Sequence, residues 1–182
     1  MWTVEFLFSF VDSLAARLDS IEWDTQCEAI LDLRSLAKYH SETLQEFLGT
    51  IIPLIIAKVV KGRPAVVKSA IMACGDLLLV YPSDSISTFV DQMIDSLVLK
   101  VIGMHRFVAQ EAILVLTSMA RRLHVPDHIL LSKVIPLLHE RSPFVCAKAY
   151  QFLALCLPVS VLVSGCSVYF VGTHSIYLNS CA

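Results

Sequence analysis

An alanine recurs four times in the same apolar frame along this chain, and this recurrence restricts the possible folds more than any other feature. The four positions are Ala29, Ala70, Ala112 and Ala149, which lie 41, 42 and 37 residues apart. One helical turn before these alanines stand Thr25, Val66, Val108 and Val145. Spacings near 40 residues are typical of HEAT-type helical pairs. Because one pair cannot bury its apolar face alone, neighbouring pairs stack into a solenoid.

The pattern therefore predicts an all-α fold, a HEAT-type α-solenoid of about four helical pairs over residues 1–158. Apolar residues follow a helical period from Val4 to Leu18, and a second helix is expected to follow Trp23-Asp24 and to run to about Tyr39. Ser41 is expected to cap the next helix. Pro53 lies inside that helix, where it either causes a kink or marks the true start.

The remaining helices follow the same rules. Pro64 suits the first position of the second helix in pair two. The last helix of pair three is expected to end at Arg121-Arg122, two cations that interact favourably with a helix C-terminus. In pair four, the first helix is expected to begin near Pro126 and to contain Ile135-Pro136-Leu137. The final helix spans Phe144 to about Leu157.

The C-terminal segment 159–182 differs from the repeats, because it carries no charged side chain and shows no helical stripe. We expect it to be an irregular, disordered tail. A membrane anchor within the uncharged stretch from Ala149 to Ala182 is the alternative interpretation, since about 20 apolar residues span a bilayer. Pro158, Gly165 and Gly172 argue against this alternative, as do several serines.

Composition argues against several classes of function. A formal net charge of −2 does not suit a general nucleic-acid binder, which needs a strongly basic surface. The sequence contains no glycine-rich phosphate loop and no catalytic Cys-His pattern, so we expect no enzyme activity, catalytic residue or cofactor. A metal site at His124 and His128 is not expected, because Pro126 between them prevents a regular helical face. The six cysteines form no C-x-x-C pair, which favours free thiols in a reducing compartment.

The repeat frame also resembles a known family. The stretch Glu22-Trp23-Asp24-Thr25-Gln26-Cys27-Glu28-Ala29-Ile30, followed by Leu33-Arg34-Ser35-Leu36-Ala37-Lys38-Tyr39-His40, looks like the opening repeat of a TOG domain. It is similar to the type found in CLASP proteins and in crescerin TOG-array proteins. Lys61-Gly62-Arg63 with Val66-Val67-Lys68-Ser69-Ala70 resembles the second repeat of that family, and Phe107-Val108-Ala109-Gln110-Glu111-Ala112 the third. The likeness covers about Asp12 to Leu157, with four of the six repeats that a TOG domain normally has.

This resemblance implies a non-catalytic domain that binds tubulin or microtubules and regulates microtubule dynamics. The implied contact residues lie at or near the turns inside each pair: Trp23, Lys61, Arg63, Lys68, Arg106 and Arg141. Every second turn of a solenoid faces the same edge, so these side chains are expected to form one ribbon. Its cations would suit the acidic surface of tubulin. The implied location is the cytoplasm and the cytoskeleton, including the cilium or centrosome.

Simpler interpretations remain open for these residues. Trp23 also suits a lid over the first helical pair, and Lys61 and Arg63 also suit ordinary solvated charges. Lys68 could instead pair with Asp76. The alternative function is a generic HEAT-repeat scaffold that binds a protein or peptide on its concave helical face.

Overall fold

The structure is a computed structural model of the chain. It describes residues 4–81, 83–102, 105–122, 132–156, 168–171 and 175–178. The α-helices are α1 (Val4–Leu18), α2 (Trp23–Tyr39), α3 (Ser41–Leu44), α4 (Leu48–Lys61), α5 (Pro64–Val80), α6 (Ser83–Ile102), α7 (Arg106–Arg122) and α8 (Pro143–Cys156). Two 3₁₀ helices cover Gln45–Phe47 and Ile135–His139. Residues 132–134 are also helical.

The first pair is close to the prediction. Helix α1 ends at Leu18 and α2 ends at Tyr39 as expected, but α2 begins at Trp23, which the prediction placed before the helix. The apolar residues of α2 recur at helical spacing and are buried: Ala29, Ile30, Leu33, Leu36 and Ala37. Leu33 is three or four positions away from each of the other four, so all five share one face of the helix. That face packs against α1 and α5.

The first helix of the second pair is interrupted before Leu48, whereas the prediction placed a kink or a helix start at Pro53. A short α3 and a 3₁₀ segment precede α4, which begins at Leu48 and continues through an exposed Pro53. Pro53 is therefore not the start of the helix. Ser41 does not cap α3 either, because the N-cap is His40 and no side chain caps that end. The expected position of Pro64 at the start of α5 is confirmed.

The helices form two layers. The first-helix layer contains α1, α4 and α6, and neighbouring members of this series pack against each other. The second-helix layer contains α2, α5, α7 and α8, which also pack in that order. Within a pair, the first helix packs against the second, so the core lies between the layers. This arrangement confirms the predicted HEAT-type solenoid.

Helix α5 lies at the centre of the second-helix layer, between α2 and α7. Eight of its residues are buried: Val66, Val67, Ala70, Ile71, Ala73, Cys74, Leu77 and Leu78. This explains why the apolar residues of α5 cover more than a single stripe. Burial also raises the pKa of the Cys74 thiol from 9.0 to about 12.

The fourth pair is only partly as predicted. The expected helix start near Pro126 lies outside the described residues. Residues Ile135–His139 form a 3₁₀ helix rather than an α-helix, with a proline at its second position. Helix α8 begins at Pro143, one residue before the predicted start, and packs against this 3₁₀ helix.

Two short strands lie in the tail, where the sequence predicted an irregular chain. Strand β1 (Val168–Val171) pairs antiparallel with β2 (Ser175–Leu178). The register places Val168 opposite Leu178 and Val171 opposite Ser175. Among the helices described in this structure, none combines the length and apolar character required to span a membrane.

Candidate protein-binding edge and face

The turns inside the pairs line up along one edge of the solenoid, which we call the intra-repeat edge. Its turns are turn 1 (19–22), turn 2 (62–63), turn 3, of which the structure describes His105, and turn 4 (140–142). Lys58 Nζ donates to Asp19 Oδ1 at 3.3 Å, which places the end of α4 beside turn 1. Lys100 Nζ donates to the backbone oxygen of Val60 at 2.9 Å, which places the end of α6 beside turn 2.

Turns 3 and 4 are joined at the same edge. The Arg106 guanidinium, at the start of α7, lies 5.4 Å from the centre of the Phe144 ring at the start of α8. The Lys148 ammonium lies 5.9 Å from the same ring. Arg106 therefore makes a cation–π contact between consecutive repeats. Arg141 lies exposed in turn 4.

Turns 1 and 2 enclose a small open pocket of about 130 Å³. It is lined by Ile21, Trp23, Gln26, Lys58, Lys61, Gly62 and Arg63. Three of the six residues that the sequence singled out therefore meet here: Trp23, Lys61 and Arg63. Trp23 is 46% exposed, so part of its side chain is accessible from solvent. Ile21 is 85% exposed and was not predicted.

The two outer cations of this pocket are available for binding. Lys61 is the last residue of α4 and Arg63 is the N-cap of α5, and both side chains are exposed. Within the part of the chain that the structure describes, neither forms an ion pair. Lys58 differs, since it is largely buried and paired with Asp19.

Gly62 sets the tight geometry of turn 2. A Cβ atom at this position would lie 2.6 Å from the backbone oxygen of Lys58 and 3.2 Å from a methyl carbon of Val67. The first distance is below any normal contact. Replacing Gly62 by alanine must therefore shift the backbone that holds Lys61 and Arg63.

Lys68 does not join the edge, because it lies one turn inside α5 and is half-buried there. The alternative partner considered for it, Asp76, forms an ion pair with Arg34 of α2 instead. Among the described residues Lys68 forms no ion pair. Five of the six residues that the sequence predicted for one ribbon therefore lie at the intra-repeat edge: Trp23, Lys61, Arg63, Arg106 and Arg141.

The outward face of the second-helix layer is a second candidate surface, which we call the second-helix face. Leu31 of α2 is 50% exposed, and Leu114 of α7 is 55% exposed. Between them on α5 lies the half-buried Met72. Each of these side chains stands two residues after the repeated alanine of its helix, so the three form an apolar row across the stack. None of these three residues is among the contact residues predicted from the sequence.

Contacts between neighbouring helices fix the alignment of this row. The Arg34–Asp76 ion pair and the Ser69 hydroxyl, 3.9 Å from Cys27 Sγ, both join α2 to α5 with the same offset of 42 residues. A Cβ on Gly75 would lie 3.1 Å from Val115 of α7, so α5 and α7 approach closely. Equivalent positions of the helices therefore lie side by side.

Chemistry-bearing groups are sparse in the described parts of the chain. No group of three or more histidine, cysteine, aspartate or glutamate side chains that could hold a metal is found among the described residues. Cys27, Cys74 and Cys146 are free thiols. In the described parts of the chain, the two candidate sites are therefore surfaces: the intra-repeat edge and the second-helix face.

Comparisons with solved structures identify the class of fold. An engineered protein superimposes with a TM-score of 0.62 at 21% identity, over 80% of this chain and 62% of its own. A mutant of Kap121p gives a TM-score of 0.63 at 20% identity, over 82% of this chain and 15% of its own. A designed armadillo repeat protein in complex with the peptide (KR)4 gives 0.57 at 19% identity, over 80% of this chain and 63% of its own. No protein-family model and no curated protein matches the chain.

These structures share a helical-repeat architecture with this chain, at identities that establish the fold alone. The chain is thus a HEAT/armadillo-like helical-repeat protein. It spans less than two thirds of the engineered protein and a small part of Kap121p.

Proposed function

We propose that this chain is a protein-binding helical-repeat scaffold, without catalytic activity, that holds a partner segment across its second-helix face. The observation that carries this proposal is the apolar row Leu31–Met72–Leu114, with Leu31 and Leu114 exposed and Met72 half-buried at equivalent positions of three consecutive helices. Single exposed leucines are common on protein surfaces, whereas an aligned series on packed helices offers a continuous contact. Among the structural neighbours, designed armadillo repeat proteins are described as made for modular peptide recognition.

A matched pair of variants tests the second-helix face. Peptides are first selected from a random display library against the full chain, and their affinities are measured by fluorescence anisotropy. Leu114→Lys is expected to weaken the selected peptides at least tenfold, because it places a charge in the apolar contact. Leu99→Lys is the control, since Leu99 is 58% exposed on α6 of the first-helix layer. Equal effects of both variants would contradict the proposal.

The intra-repeat edge supports a second candidate function, the binding of tubulin or microtubules. The observation that favours it is the meeting of Trp23, Lys61 and Arg63 around one pocket. An exposed tryptophan beside two cations suits an acidic protein surface, with the indole as the anchor and the charges steering the encounter. The TOG resemblance names tubulin as that surface. Under this candidate the protein belongs to the cytoplasm and the cytoskeleton, including the cilium or centrosome.

Co-sedimentation with microtubules and gel filtration with free tubulin test this candidate. Trp23→Ala with Arg63→Ala is expected to abolish binding, and binding by the unmodified chain should fall as salt rises. The control combines Tyr39→Ala with Arg121→Ala. Tyr39 is an exposed aromatic residue and Arg121 is an exposed cation. Both lie near the C-terminal ends of their helices, α2 and α7, whereas the intra-repeat edge lies at the N-terminal ends. Equal binding by the two double variants would exclude the edge as the tubulin site.

A further inference from the structure

Charged side chains of alternating sign run beside the apolar row of the second-helix face. Each helix contributes one residue to this row: Glu28 from α2, Lys68 from α5 and Glu111 from α7. These residues precede the apolar residues of the row by three or four positions, which places both sets on the same helix faces. The face therefore presents two parallel rows, one apolar and one with charges in the order negative, positive, negative.

These three charges are available to a partner. Glu28 is exposed, and Lys68 and Glu111 are half-buried. Within the described ranges, none of the three takes part in a hydrogen bond or an ion pair of its side chain.

The other charges on or beside this face are engaged or lie apart from the two rows. Asp32 pairs with Arg17, and Asp76 pairs with Arg34. Asp24 Oδ1 accepts the backbone N–H of Thr25 at 2.8 Å. Lys148 on α8 donates to Gln151 at 2.9 Å. Two more cations lie near the C-terminal ends of their helices, Lys38 on α2 and Arg121 on α7.

The spacing of the rows selects one backbone conformation for the partner. Packed helices lie about 8–10 Å apart, so consecutive charges of the row have roughly this separation. A polyproline II helix advances about 9.3 Å per turn of three residues, so every third side chain lies on the same edge. Residues three apart in a β-strand point to opposite faces. An α-helix along the row would cross the second helices almost perpendicularly, which is a rare packing.

We infer that the second-helix face binds a polyproline II segment of a partner protein, in which basic, acidic and basic side chains recur at every third position. A proline or aliphatic residue after each charge then contacts the apolar row. This inference rests on the proposed scaffold function and specifies its partner. The charge order of the ligand is symmetric, so it is complementary to Glu28, Lys68 and Glu111 in either chain direction.

A charge-reversal experiment with the full chain tests the inference. The probe is a labelled nine-residue peptide of three triplets that begin with Lys, Glu and Lys, each followed by Pro-Ala. A second peptide has the order Glu, Lys, Glu. Fluorescence anisotropy is expected to show that the chain prefers the first peptide by about tenfold, since three complementary pairs replace three repulsive ones.

The triple variant Glu28→Lys, Lys68→Glu and Glu111→Lys should reverse this preference and favour the second peptide by a similar factor. The control Asp91→Lys changes the net charge of the chain by the same amount, at an exposed site of α6, and should leave the preference unchanged. A circular dichroism spectrum of each variant verifies that the helices are retained.

The outcomes separate this inference from the scaffold proposal. If the preference is not reversed, or if neither peptide binds at millimolar concentration, the inference is overturned. It is also overturned if a helical peptide with the same charges seven residues apart binds more tightly. In these cases the scaffold proposal still stands if Leu114→Lys weakens the library-selected peptides and Leu99→Lys does not. If Leu114→Lys has no effect there, both proposals fail.

Discussion

The two helical layers of this solenoid are held together in different ways. In the first-helix layer, lysines reach from one repeat to the previous one: Lys58 to Asp19, Lys100 to the Val60 carbonyl and Lys133 to Asp95. The second-helix layer also has an ion pair between neighbouring helices, Arg34–Asp76, but here small residues allow close approach, as at the fully buried Ala70 and at Gly75 beside Val115. The first layer therefore tolerates movement of its long side chains, whereas the second fixes the spacing of its helices.

This difference matters for binding. A surface that is to recognise a partner with a regular repeat must keep a constant distance between its helices, because misplaced contacts lose affinity. The tightly packed second-helix layer meets this requirement. It carries both the apolar row and the charged row, and the first-helix layer packs against its inner side.

The largest expected effect comes from overpacking the second-helix layer. Ala70→Leu adds three carbons at a site with no exposure, so the free energy of unfolding should fall by about 1–3 kcal/mol. Urea denaturation followed by circular dichroism measures this change. Ala57→Leu is the matched control, at an exposed position of α4, and should change stability by less than about 0.5 kcal/mol. Similar losses for both variants would refute the contrast between the layers.

An intermediate effect is expected at alkaline pH, through Cys74. Its pKa in the folded chain, about 12, is above the ordinary value of 9.0, so only the folded state keeps the proton between these values. The stabilisation is complete below pH 9 and is lost as pH rises towards 12. Stability should therefore decrease by about 1.4 kcal/mol per pH unit in this window.

Denaturation at pH 8, 9 and 10 measures this slope. Cys74→Ala should remove the contribution of the thiol, whereas Cys27→Ala leaves Cys74 in place and should retain it. Burial also raises the pKa of Tyr81, from 10.0 to about 12, so Tyr81 acts in the same direction only at higher pH. An unchanged slope in Cys74→Ala would contradict this prediction.

The smallest effect is expected from the lysine contacts of the first-helix layer. Lys100→Met keeps most of the aliphatic side chain and removes the hydrogen bond to Val60, so it should cost about 0.5 kcal/mol. Lys61→Met provides the control, because Lys61 is exposed and unpaired within the described residues. If Lys100→Met costs as much as Ala70→Leu, the first-helix layer is not the more tolerant one.

The periodic part of the fold could be predicted from the sequence, because helical apolar stripes and prolines at helix starts act locally. This applies to α1 and α2 and to the position of Pro64. The 3₁₀ segments at Gln45–Phe47 and Ile135–His139 could not be predicted, since their apolar pattern also fits an α-helix. The strands of the tail were missed as well, in a segment where no alternation had been recognised.

The candidate edge was predictable in part, because alternate turns of a solenoid face the same side. Trp23, Lys61 and Arg63, predicted for one ribbon, lie around one pocket at this edge. Contacts between repeats, such as Arg34–Asp76, depend on the distance between helices and leave no local signal. The apolar row of the second-helix face could have been found by aligning the repeats on their alanines. Whether tubulin binds at the edge stays a prediction.

The hydrogen bond from Lys100 to Val60 affects which substitutions such a chain can accept during evolution. Its acceptor is a main-chain oxygen, which every amino acid provides, so substitutions at position 60 leave the bond intact. A lysine at position 100 can thus form this hydrogen bond with any amino acid at position 60. Duplication or exchange of a whole repeat would preserve this hydrogen bond without any compensating mutation in the neighbouring repeat.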